Sequence, residues 1–254
     1  MANIFGTPAA GVGPAASASG LIGRLVTTRR AALAGIVGPI MFGGIVALLD
    51  VLQYDFLVAT GNSPLSDNPI SVNALGPYGW LQTISFFIFG LLVLLFTVGL
   101  HRDISGGRGS KVGPVLLGIF GLAMLFSSGT IEDANYSDPT TLHAWFHAIG
   151  FLLFLASLTP SYFFMWWRLR KDARWAGYDW YTLVTGVLVV LLIFSDPLKA
   201  LDSAQHAAWW GAAGRLHLLV GLGWFTVIGG RLWRHAGYTK RRSIEYNTDP
   251  ATAS

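Results

Sequence analysis

The amino-acid sequence predicts an all-α polytopic membrane protein, a bundle of six transmembrane helices. Three observations carry that expectation. Of the 254 residues 53% are hydrophobic and only 12% charged. The apolar residues gather in runs of membrane-crossing length, and the basic residues fall in clusters between those runs. With a mean hydropathy of +0.53, there is too little polar surface to clothe a water-soluble core.

Residues 1–30 are rich in Gly, Ala, Ser and Pro and carry no charge before Arg24, so they read as a disordered arm without the charged start and apolar run of a signal peptide. The transmembrane domain then covers 31–235. At about 1.5 Å per residue, roughly 20 apolar residues cross a hydrocarbon core of about 30 Å. Six stretches qualify: Ala31 to Val51, Tyr78 to Leu100, Val112 to Ile131, Leu142 to Trp167, Trp180 to Ser195, and Gly214 to Trp233. Pro39 and Pro160 are expected to bend the first and fourth, with Thr159 and Ser161 placed to satisfy freed carbonyls. Glycines recur inside the spans, as at Gly35, Gly38, Gly43 and Gly44, then Gly113, Gly118 and Gly121, then Gly221 and Gly223. In lipid such positions let helix backbones approach closely. Residues 236–254 are polar and read as a disordered tail.

The connections set the orientation, because cytoplasmic loops retain Lys and Arg. Arg24, Arg29 and Arg30 precede the first span; Arg102, Arg108 and Lys111 lie between the second and third; Arg168, Arg170, Lys171 and Arg174 follow the fourth. Arg231, Arg234, Lys240, Arg241 and Arg242 follow the sixth. The opposite side holds only Lys199 and Arg215, with Asp50, Asp55, Asp67, Glu132, Asp133, Asp138, Asp196 and Asp202. Both termini are therefore expected in the cytoplasm, with the chain in the plasma membrane. A net charge of +4 is accounted for by these clusters, which excludes a nucleic-acid partner and leaves the lipid bilayer as the expected one. The chain has no cysteine, which excludes disulfides, thiolate catalysis and Cys-held metals.

Chemistry is expected at the outer end of the bundle. His143 and His147 are four apart and share one helix face. Asp138-Pro139 reads as the start of that helix, cap followed by first helical residue. His217 lies about 21 Å from the inner surface, counted back from Arg231, and so reaches a similar level. Glu132, Asp133 and Asp50 end neighbouring spans on the same side, and His206 is in the last outer loop. Three imidazoles with a carboxylate suit zinc, which would make bound water a nucleophile. Asp133 or Glu132 would then be the base, and Ser71 a donor to developing negative charge. That combination describes a zinc-dependent intramembrane hydrolase of lipid amides or esters. Interfacial histidines that only bond a carbonyl explain the same residues. A carrier, sensor or scaffold for an apolar, lipid-like small molecule or a membrane partner is the competing class. No Asp, Glu, Lys or Arg falls near the middle of a span, which argues against ion coupling. The first outer loop, Leu52 to Pro77, reads either as a lid over the histidines or as a plain connection.

Asn68-Pro69-Ile70-Ser71, followed by Leu75-Gly76-Pro77-Tyr78-Gly79-Trp80-Leu81-Gln82, resembles the bacterial and archaeal membrane family known as domain of unknown function 998. The likeness covers about residues 31–235 and includes Gly38-Pro39, an acidic site matching Asp133, and histidines matching His143 and His147. Where members often carry an acidic residue after the serine, this chain has Val72. The resemblance implies a six-span fold and no particular activity.

Overall fold

The computed structural model describes residues 27–61, 63–64, 69–107, 109–133, 140–199 and 210–248. Regular structure among them is entirely helical. In chain order the α-helices are α1 Thr28–Leu52, α2 Tyr54–Ala59, α3 Gly79–Asp103, α4 Val112–Ser128, α5 Leu142–Leu169, α6 Tyr178–Lys199 and α7 Trp210–Thr248. Short 3-10 turns at Ile70–Leu75 and Ala173–Trp175 interrupt the connections. Four helices are long and apolar enough to cross a membrane: α1, α3, α5, and α7 over Gly211–Gly237. Val112–Ser128 and Tyr178–Ile193 are shorter apolar helices.

Helix starts follow capping chemistry. The Thr27 hydroxyl accepts from the Arg30 amide at 3.2 Å and opens α1. Thr141 does the same for α5, accepting from the Ala144 amide at 3.2 Å. The expected cap, Asp138-Pro139, lies outside the described residues with Asp67 and His206, and the helix begins at Leu142. Pro39 and Pro160 stand inside uninterrupted helices. Beside Pro160 the Ser161 hydroxyl donates to the Leu158 carbonyl at 2.6 Å, as a buried serine in a spanning helix is expected to do.

Three expectations are corrected. The stretch from Leu52 to Pro77 is not a bare loop, since it holds α2 and the 3-10 turn at Ile70–Leu75. The helix expected from Val112 to Ile131 stops at Ser128, where Gly129 ends it. The last helix runs on to Thr248, into the stretch expected to be disordered. A polar composition does not end a helix: beyond Gly237 no Gly or Pro interrupts the chain before Pro250, and extending an existing helix avoids the cost of nucleating one.

Six helices close into a ring in which each packs against two neighbours, in the order α1, α3, α4, α5, α6, α7 and back to α1. Small residues set the spacing where the sequence is glycine-rich. A methyl group at Gly35 would run into the ring of Phe96, and one at Gly90 would stand 2.8 Å from the Gly121 carbonyl oxygen. Gly44, by contrast, faces open space. The interior is aromatic: Phe42 stacks on Phe89 with centroids 4.8 Å apart, and Phe225 meets Phe89, Phe96 and Phe120 within 6.1 Å. Every helix of the ring turns large apolar side chains outward, among them Ile40, Phe87, Leu122, Leu152, Leu191 and Leu219. A soluble bundle hides such residues; a membrane bundle shows them to lipid.

Polar contacts gather at the two ends of the ring. At one end Asp103 accepts from the Trp175 indole at 3.2 Å, lies 3.7 Å from the Arg174 guanidinium, and is 3.4 Å from His235 Nδ1. Arg29 lies over Trp233 and Arg231 over Tyr178 at the same end. At the other end the Arg215 guanidinium grips Asp50 through two bonds of 2.8 and 2.7 Å.

Candidate functional site

The second polar end opens into a cavity of about 440 Å³ between the helices. That is within the range of roughly 300–1,000 Å³ typical of small-molecule sites. Its floor is built from Phe42, Phe89, Phe120 and Phe225, and its wall includes Phe151 and Phe154 of α5. Among the described residues, the polar side chains that line the space, Ser71, Ser127, Glu132, His147 and His217, lie toward the mouth. The cavity is thus amphipathic, apolar within the bundle and polar at its end.

Each polar group is placed by a different element. Glu132 follows the end of α4 in irregular chain and is buried, 8% exposed. The Ser71 hydroxyl donates to its carboxylate. Oε2 stands 4.0 Å from His147 Nε2, while Oε1 is buried without a partner. Burial pushes the Glu132 carboxyl up to about 7, against the smaller opposing pull of the Ser71 hydrogen bond. His147 sits in the second turn of α5, with Nδ1 3.0 Å from the Thr130 carbonyl oxygen. A carbonyl can only accept, so Nδ1 carries the proton and Nε2 of the neutral ring presents a lone pair. His217, on α7, packs edge-on to Phe154 at 6.3 Å.

Ser71 reaches the cavity because the chain before α3 is fastened to the ring. The Gln53 amide donates to the Asn73 carbonyl at 2.8 Å, and Asn73 donates to Asp50 at 2.9 Å. Asp50 is in turn held by Arg215. Asn73 and Val72 are fully buried, so Pro69, Ile70 and Ser71 are pressed over the cavity mouth. Of this segment, Pro69, Ile70 and Ser71 line the cavity.

The residues expected to carry chemistry separate into two groups. Ser71, His147, His217 and Glu132 line one cavity. His143 and Asp133 do not. His143, in the first turn of α5, is exposed. Asp133 accepts four hydrogen bonds, from the amide and hydroxyl of both Thr140 and Thr141, at 2.7–2.9 Å. The Thr141 hydroxyl and then the two amides hold its carboxyl well below the usual carboxylate range. Asp133 therefore organises the entry to α5, and the acid facing the cavity is its neighbour Glu132. Asp50, also named from sequence, serves the Arg215 and Asn73 contacts. Among the described residues no three His, Asp or Glu side chains gather closely enough to hold a metal ion. Sequence reasoning missed the phenylalanine floor, whose residues are spread over four helices and look generic one at a time. It also missed Gln53 and Asn73, which fasten the segment carrying Ser71.

No curated protein and no solved structure matches the chain. A family model does match, over residues 41–231. That span runs from α1 to the α7 residue Arg231 and includes every cavity-lining residue named above. The chain belongs to the family described as Protein of unknown function (DUF998).

Proposed function

We propose that this chain is a six-span protein of the plasma membrane, with both termini cytoplasmic, that holds one lipid-like amphiphile with its apolar chain on the phenylalanine floor and its polar head at the outer mouth. The amphipathic cavity carries this reading: an apolar pocket with few convergent polar groups, embedded in a bundle whose outer surface is apolar, is reached by molecules already dissolved in the bilayer. Six spans are supported by ring closure, since α4 and α6 pack between longer helices and share their outward apolar belt. The orientation is supported by the basic residues of the Asp103 end, including Arg29, Arg168, Arg174 and Arg231.

Gly214 lines the cavity, and a Cβ added there meets nothing within 4 Å, so Gly214→Leu is expected to place its side chain in the space. Native mass spectrometry from zwitterionic nanodiscs, with dodecylamine, dodecanol and dodecanoic acid as probes, tests the reading. The parent is expected to take up at least one probe saturably at one per chain, and Gly214→Leu none. Uptake of no probe by the parent, or equal uptake by the variant, would overturn it.

Hydrolysis of a bound lipid amide or ester is the second reading, favoured by Ser71 donating its hydroxyl to Glu132 at the mouth. A zinc-dependent version is decided by elemental analysis of the parent against a His147→Ala, His217→Ala variant. Stoichiometric zinc in the parent alone would make the mouth a metal centre, whereas metal-free samples of both would leave it a binding site.

A further inference from the structure

Glu132 is an expensive residue to bury, and its surroundings do not neutralise it. Among the described residues, the ionisable groups that line the cavity are Glu132, His147 and His217. No Lys or Arg among the described residues lines it. The nearest guanidinium in sequence to the lining residues of α7, that of Arg215, is engaged with Asp50. The carboxylate receives one hydroxyl, from Ser71, and its Oε1 stays buried with no donor. His147 spends its proton on the Thr130 carbonyl and presents Nε2 beside Glu132 Oε2. Among the described residues the mouth therefore offers a cluster of acceptors, with no cation lining it to balance them.

That inventory discriminates among head groups. A carboxylate or phosphate head would place like charge beside Glu132 in a poorly hydrated site. A hydroxyl would supply one proton and no charge. A primary ammonium supplies three donors and one positive charge, enough to satisfy Oε1 and share Nε2 of His147. We propose that the occupant of the cavity is a single-chain amphiphile with a primary amine head, held by a charge-assisted hydrogen bond from its ammonium group to Glu132 Oε1. This rests on the cavity reading above and names the class of ligand that the cavity takes.

Ionised Glu132 is the form that binds, so affinity for the amine is expected to fall as the carboxyl takes up its proton below about pH 7. Among the described residues, the other ionisable groups facing the same space are His147 from α5 and His217 from α7; the described side chains of α1, α3, α4, α6 and the 3-10 turn contribute none to the lining.

The test compares dodecylamine, dodecanol and dodecanoic acid, matched in chain length, by isothermal titration of nanodisc-embedded parent and Glu132→Gln protein. The side chains are of equal size, and Ser71→Ala serves as a second variant that removes the neighbouring donor while keeping the carboxylate. The parent is expected to bind dodecylamine most tightly, with a loss of about tenfold or more in Glu132→Gln and little change for dodecanol. Ser71→Ala is expected to keep the amine preference. Equal or tighter binding of the alcohol or the acid by the parent would overturn the amine assignment while leaving the cavity reading intact. An amine preference that survives in Glu132→Gln would overturn the role of Oε1. Binding of no probe would overturn the cavity reading and this one with it.

Discussion

Glu132 and Asp133 are neighbours in the chain and live in opposite environments. Asp133 has four donors and a carboxyl held low; Glu132 has one donor, is buried, and has a carboxyl raised from its ordinary 4.5 to about 7. The raised carboxyl makes a prediction with a definite sign. The folded protein keeps a proton on Glu132 that the unfolded chain releases, so stability falls as pH rises through the window from about 4.5 to about 7. The loss has an upper bound of about 3 kcal/mol. Glu132→Gln removes it, so thermal unfolding in nanodiscs should show the variant more stable than the parent at about pH 8 and no more stable at about pH 4. An unchanged difference across that range would contradict the burial of Glu132. Asp133→Ala, in contrast, should lower the unfolding temperature by loosening the start of α5 and leave amphiphile binding unaltered. Which of two adjacent acids faces the interior was not legible from spacing, because the chain between α4 and α5 has no repeat to fix side-chain direction. His143 shows the same limit. Four residues from His147 puts it on the same helix face, but one turn nearer the helix start, where the ring no longer encloses it.

At the scale of elements, the apolar runs were legible because a helix long enough to cross lipid needs an unbroken apolar stretch, and their starts matched within a few residues where a Thr cap or a glycine turn marks them. The short structured segments were not. The turn at Ile70–Leu75 lacks the periodicity of a helix, and its position depends on side-chain contacts to residues far away in the chain, Gln53 and Asp50. Its first two residues, Ile70 and Ser71, nevertheless end the Asn68-Pro69-Ile70-Ser71 run on which the family resemblance rested, so the motif was visible before its placement. The Asp50–Arg215 pair, with each side chain 16% exposed, closes this fastening. Asp50→Asn leaves Arg215 short of a counter-charge and weakens the hold on Asn73. It is expected to lower stability by up to about 3 kcal/mol and to weaken amphiphile binding together, read by thermal unfolding and titration. Lower stability with undiminished affinity would show that the turn holds Ser71 without this pair.

For the whole molecule, ring closure turns six separate helices into a container. The sequence showed which residues are apolar and not which way they face, and only the closed order α1, α3, α4, α5, α6, α7 separates the lipid-facing belt from the phenylalanine floor. Small residues at crossings such as Gly90 with Gly121 bring neighbours close on one side, while Gly214 leaves room on another. The same residue type therefore seals the wall and makes space in the mouth. Gly214→Leu should abolish amphiphile uptake and keep or raise stability, since replacing glycine within a helix gains up to about 1 kcal/mol. A strongly destabilised variant would mean that the space is smaller than 440 Å³. The absence of cysteine allows the central claim, an amphiphile cavity opening on the outer face, to be tested by single substitutions in intact cells. A membrane-impermeant maleimide applied from outside is expected to label Ser71→Cys, with labelling suppressed by dodecylamine. It should label Ser105→Cys, in the exposed connection after α3, only once the membrane is permeabilised. Outside labelling of Ser105→Cys, or labelling of Ser71→Cys that the amphiphile does not slow, would contradict the account.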